Sequence, residues 1–71
     1  MKNKEEITAF GFHFRKIRER LNLSQQELAD MSNISKITIQ RIENAKYCVT
    51  IDVLISISKS TGISMEEIVG Y

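Results

Sequence analysis

The sequence predicts an all-α fold, a compact bundle of five short helices, and three observations carry that expectation. Apolar residues recur at helical spacing through most of the chain, and nothing alternates with period two for long enough to make a strand. Four hydroxyl residues, Ser24, Ser35, Thr50 and Ser64, stand where an N-cap would open such a stretch, two of them as capping boxes with Glu27 and Glu67. Asn22, Asn33 and Gly62, which tolerate a left-handed backbone, stand where the stretches stop.

In chain order, residues 1–8 alternate charge without a period and read as a flexible N-terminal segment, leaving 9–71 as the domain. Phe10, Phe14, Ile17 and Leu21 fall at i, i+4, i+7 and i+11, the apolar stripe of a first helix over about 9–21. Arg15, Lys16, Glu19 and Arg20 lie on its other side, and Phe12 falls outside the stripe. Asn22 closes this helix and Leu23 staples the junction to the next. Ser24 with Glu27 opens a second helix over 25–32, whose narrow apolar face is Leu28 and Ala29. Ile34 anchors the following turn, and Ser35 caps a third helix over 36–44 with Ile39 and Ile42 on one face. After a loop at 45–49, Thr50 caps a fourth helix over 51–61, in which Ile51, Leu54, Ile55 and Ile57 make a wide apolar face. Asp52 complements its dipole, and this helix is expected at the centre of the core. Gly62 and Ile63 lead into the second capping box, Ser64 with Glu67, which starts a fifth helix over 65–70.

A chain of 71 residues makes one domain, small enough that dimerisation would help its stability. Its 42% apolar and 27% charged residues are those of a globular protein with a core of Ile, Leu, Val and Phe. No apolar run approaches the ~20 residues of a membrane span, and the charged N-terminus leads into no signal sequence, so a cytoplasmic location is expected, with no membrane partner. Cys48 is the one cysteine and reads as a small, partly buried residue; with the lone His13 it is too little for a four-ligand zinc site. No nucleophile motif accompanies His13, so neither enzymatic chemistry, a cofactor nor a small-molecule ligand is expected.

The third helix carries the functional signal. Off its apolar face it presents Lys36, Ile37, Thr38, Gln40 and Arg41, two cations and hydrogen-bonding side chains without a carboxylate, where an ordinary solvent-facing helix carries Glu and Lys pairs. Helix, short turn, helix, with the second presenting such a face, describes a helix-turn-helix whose recognition helix enters the major groove of double-stranded DNA. The net charge is only +1, but residues 1–50 carry a balance of +3 and residues 51–71 one of −2, so the basic end holds the helix pair. Arg15, Lys16 and Arg20 read either as phosphate contacts or as a solvated face.

Over residues 10–69 the chain resembles the helix-turn-helix domain of phage repressor, Cro and xenobiotic-response-element-type regulators. The likeness rests on Gly11, Phe14, Ile17 and Arg18, on the run from Leu23 to Ala29, on Ile34-Ser35-Lys36, Ile39 and Arg41-Ile42-Glu43, and on Leu54, Ile57, Gly62-Ile63-Ser64 and Glu67-Ile68. The resemblance implies a lambda-repressor-like fold and a sequence-specific transcription regulator, such as a repressor, acting at an operator. In size the chain is similar to small phage repressors and to restriction-modification controllers. It further implies that Gln25 contacts a phosphate with its backbone N–H and side chain, and that Lys36, Ile37, Thr38 and Gln40 face base edges. Arg41 would reach a base or the flanking backbone, Arg15, Lys46 and Tyr47 are further phosphate candidates, and Arg18 would pair with Glu43 to tie the first helix to the end of the third.

Three positions depart from the family pattern. Ala45 stands where Gly is common, so the third helix runs on slightly or Asn44 takes the left-handed position; Val49 stands for Pro; and Thr61 stands for Leu, leaving a corner of the core thinner or open to a partner. A symmetric homodimer on two half-sites about 34 Å apart is the default for so small a reader. Its candidate surface is Ile55, Met65, Val69 and Tyr71, with Ile55 and Met65 equally able to complete the monomer core. A DNA-binding antitoxin and a protein-interaction module on the same scaffold are the competing readings.

Overall fold

The computed structural model describes residues 4–46 and 49–70. They form five helices, α1 Lys4–Arg20, α2 Gln25–Ser32, α3 Lys36–Glu43, α4 Ile51–Thr61 and α5 Met65–Val69, and among the described residues there is no strand. The all-α, five-helix expectation holds. Each of α2 to α5 begins at the expected hydroxyl: Ser24, Ser35, Thr50 and Ser64 accept the backbone N–H three residues on, and Ser24 with Glu27 closes the full capping box. That satisfies donors which a helix start otherwise leaves orphaned.

The first helix is longer than its apolar stripe implied. It begins at Lys4 rather than near residue 9, so residues 4–8, expected to be flexible, continue it. Glu5 and Glu6 sit in the first turn, where the helix dipole favours them, and the Thr8 hydroxyl donates to the Lys4 carbonyl at 2.9 Å. Charge alternation without an apolar period had hidden a solvent-facing turn. At the other end Leu21, placed on the stripe by spacing, lies beyond the last turn and is exposed.

Three helix ends close with a left-handed residue as anticipated, Asn22 at φ 59°, Asn33 at φ 57° and Gly62 at φ 77°. The end of α3 is different. Neither alternative foreseen for Ala45 occurs: α3 stops at Glu43, Asn44 stays at φ −94°, and Ala45 itself takes φ 58°. Lys46 N–H donates to Arg41 O at 2.8 Å and Ala45 N–H to Ile42 O at 3.2 Å, the two bonds of a Schellman closure. The alanine therefore occupies a glycine's conformation and bears its steric cost. At the end of α4 the Thr61 hydroxyl donates to Ile57 O at 2.7 Å and accepts Ile63 N–H at 3.3 Å.

The core consists of Phe14, Leu28, Ala29, Ile39, Ile42, Leu54, Ile57 and Ile68, with Phe10, Leu23, Ile34, Val49, Val53, Ile63 and Met65 packed around it. The fourth helix is not its centre. The principal packing runs in a closed circuit, α1 on α3, α3 on α2, α2 on α4, α4 on α5 and α5 back on α1, so each helix seals one segment of a shared interior. Leu54 and Ile57 of α4 point inward, while Ile51 and Ile55, counted in its apolar face, are exposed. Among the described residues no helix is long and apolar enough to cross a membrane.

Candidate functional site

α2 and α3 meet through a turn of Asn33, Ile34 and Ser35. Ile34 N–H donates to Ala29 O at 3.0 Å, and its side chain packs against the core, which pins the turn from inside. On α3 the buried residues are Ile39 and Ile42, at 0% and 1% exposure, so the opposite face must point outward. Lys36, Ile37 and Arg41 are exposed there; Thr38 and Gln40 are half-buried at its edges. The Thr38 hydroxyl also shares a hydrogen bond with the Ser35 hydroxyl at 2.8 Å, which fixes its rotamer at the start of the helix. Ile37 is 58% exposed, a large apolar side chain held in water between two cations.

The charges of the molecule divide into two groups. The arginines of α1 are paired within the fold, Arg15 with Glu19 at 3.3 Å, Arg20 with Glu67 at 2.6 Å and Arg18 with Glu43 at 2.6 Å, while Lys16 Nζ lies 5.0 Å from the centroid of the exposed Phe12 ring. Lys36, Arg41 and Lys46 form no ion pair among the described residues. They lie on α3 and immediately after it, on the outward recognition face and its edge; Lys4, Lys16 and Lys59, elsewhere on the surface, also form no ion pair among the described residues. Arg15, a phosphate candidate, is exposed, and an exposed i,i+4 pair of this kind holds it only weakly.

Behind this face lies a buried polar knot. Arg18 Nε donates to Glu43 Oε2 at 2.6 Å, its Nη2 to Glu43 Oε1 at 3.0 Å and its Nη1 to the Leu23 carbonyl at 2.8 Å. The two side chains are 12% and 3% exposed. Glu43 raises the Arg18 pKa from its usual value, chiefly through their hydrogen bond; burial opposes this, and the charges of Glu43 and Glu19 add to it. The guanidinium is therefore charged at any physiological pH. Gln25 adds a third donor to the same carboxylate, Nε2 to Glu43 Oε1 at 3.0 Å. Its side chain, expected on a phosphate, thus points into the domain, while the backbone N–H groups of Gln25 and Gln26 in the first turn of α2 have no intrahelical acceptor.

Close approach of α1 to α3 depends on Gly11. A Cβ there would stand 2.5 Å from Ile42 O and 3.1 Å from Glu43 O, so only glycine lets α1 lie against the carbonyl end of α3. A lone glycine inside an otherwise well-formed helix was the available signal for this packing. No comparable signal marks the Gln25–Glu43 bond. Of the proposed dimer residues, Met65 packs against the core, Ile55 and Val69 are exposed, and Tyr71 lies outside the described residues, as do Tyr47 and Cys48. Ile51, 67% exposed and one turn before Ile55, belongs to the same outer side of α4.

A family model described as Helix-turn-helix matches residues 14–68, which spans α2 to α4 whole, most of α5 and the last two turns of α1. No curated protein and no solved structure matched the chain.

Proposed function

The chain belongs to the Cro/C1-type helix-turn-helix family and is a DNA-binding regulator, and from that premise we propose that it binds a double-stranded operator as a homodimer, with α3 in the major groove. The observation that carries this reading is the coincidence on α3 of unpaired cations, hydrogen-bonding side chains and an exposed isoleucine. Lys36 suits guanine O6 and N7, Gln40 suits adenine N6 and N7, and Ile37 or the Thr38 methyl suits a thymine methyl. Arg41, one turn on, meets a base or the flanking phosphate. Lys46, Arg15 and Tyr47 would add sequence-independent phosphate attraction, as would the free backbone N–H groups of Gln25 and Gln26.

One such face covers too few base pairs for a tight specific complex, so two copies would read an inverted repeat. The exposed Ile51, Ile55 and Val69 support a contact built from α4 and α5, with Tyr71 two residues after Val69 in sequence. Regulation then follows from occupancy of a site at a promoter, and the protein would act in the cytoplasm, where that DNA is found.

The experiment is selection from a random duplex pool with sedimentation of the purified protein. An enriched inverted repeat with half-sites one helical turn apart, and a dimer in solution, is the expected result. Folded protein that enriches no sequence at low salt would overturn operator binding and favour a protein-interaction role for the same face. A monomer at high micromolar concentration would overturn the dimer.

A further inference from the structure

We propose that the outer side of α1 is a self-association face, on which the α1 of a second copy packs antiparallel through Glu5, Ala9, Phe12 and Lys16. The proposal is independent of the DNA-binding reading and of the α4–α5 contact above. α1 turns Gly11, Phe14 and Ile17 to the core, and at about 100° per residue Glu5, Ala9, Phe12 and Lys16 fall in one stripe on the opposite side. All four are exposed, Phe12 at 61%, and together they border an open hollow of about 730 Å³. Glu5 and Lys16 form no ion pair among the described residues. Glu5, Ala9 and Phe12 precede residues 14–68, so most of the stripe lies outside the segment that the family model matches.

The stripe is complementary to itself. In an isologous pair each contact occurs twice, once on either side of the two-fold axis. With that axis between residues 10 and 11 of antiparallel helices, Glu5 of one copy stands level with Lys16 of the other, and Ala9 with Phe12. Opposite charges then meet at both ends, and a small side chain faces a large one at the centre, where helices approach most closely. A parallel pair would set every residue against itself, Glu5 on Glu5 and Phe12 on Phe12, and gains neither match. Within one copy Glu5 and Lys16 are separated by roughly 16 Å along the helix axis, so only a second copy brings them together. The contact is smaller than the ~800 Å² per partner of a standard interface. It therefore holds free copies only at high micromolar concentration and counts most between copies already joined elsewhere.

The test is sedimentation equilibrium up to about 1 mM, with melting midpoints, on the full chain and on the same chain carrying Ile55→Asp, which places a charge in the α4–α5 contact. Glu5→Lys and Lys16→Glu each set like charges against one another on both sides of the axis. Each alone should weaken the association that survives Ile55→Asp by about tenfold. Both together exchange the charges and should return it to within about twofold of the parent, whereas effects on the stability of α1 from sites this far apart add rather than cancel. Phe12→Ala should weaken it as well, with the melting midpoint nearly unchanged. Single reversals without effect, or a double variant no better than either single, would overturn the proposal. An Ile55→Asp protein that stays monomeric throughout would overturn it too, since all self-association then belongs to α4 and α5. Association that Ile55→Asp leaves intact and the charge reversals weaken would support the α1 face and remove the α4–α5 contact instead.

Discussion

Replacing Arg18 by Met keeps the length of the side chain and removes the guanidinium. Three hydrogen bonds disappear, two to Glu43 and one to the Leu23 carbonyl. Glu43 remains, with its side chain 3% exposed and, among the described residues, the Gln25 amide as its one side-chain partner. Stranding one member of a buried ion pair costs about 3–5 kcal/mol, and the surviving Gln25 bond places this case near the lower end, about 3 kcal/mol. A 71-residue domain has roughly 4–10 kcal/mol in total, so a third or more of its stability would go. The melting midpoint should fall by about 12–24 °C. Urea unfolding of both proteins, with a double-mutant cycle through Glu43→Met, measures the loss and its origin. The double variant should recover part of it, because two apolar side chains leave no buried charge. Because Arg18 is raised above its usual value in the folded state, its contribution is fully present below the unfolded pKa and lost only as pH rises through the folded one. The difference between wild type and Arg18→Met should therefore stay flat from about pH 6 to pH 9. A destabilisation under about 1 kcal/mol, or a double variant no better than Arg18→Met, would refute the description of this pair as a buried tie.

Three further outcomes follow from particular contacts. Gly11→Ala pushes a methyl against the Ile42 and Glu43 carbonyls and should cost about 2 kcal/mol or more, read by thermal melting, with α1 displaced from α3. Ala45→Gly should stabilise by about 0.5–1 kcal/mol, since relief of the left-handed strain exceeds the added flexibility of the unfolded chain; a lower melting midpoint would contradict the strain at φ 58°. Lys36→Ala and Arg41→Ala should leave the melting midpoint within about 1 °C, because neither side chain forms an ion pair among the described residues, yet together weaken operator binding by roughly tenfold or more and flatten its salt dependence. Titration of operator binding between low and moderate salt reads both effects.

The parts of the fold legible in one dimension were those set by neighbours in sequence. A hydroxyl three residues before its acceptor N–H, a left-handed asparagine and an i, i+4 apolar pair all act within a turn or two. Ser24, Ser35, Asn33, Ile39 and Ile42 could therefore be placed without tertiary information. Extra length at the start of α1 escaped because a solvated helical turn leaves no apolar trace; Glu5 and Glu6 against the dipole and the Thr8 hydroxyl on the Lys4 carbonyl support it instead. Ala45 escaped because its conformation is imposed by where α3 must stop, against its own preference.

The sequence alone determined the helix count, the caps and the composition of the outward face of α3, since all three depend on local spacing and residue chemistry. Tertiary structure decided which of those residues face one another. Packing in a circuit brought Arg18, Gln25 and Glu43, far apart along the chain, to one buried carboxylate, and a missing Cβ at Gly11 set how closely α1 could approach. It also decided that Arg15, Arg18 and Arg20 of α1 would pair within the fold while Lys36, Arg41 and Lys46 form no ion pair among the described residues. Charge composition is a property of the chain, whereas the pairing of charges is a matter of distance, and only the folded molecule has distances.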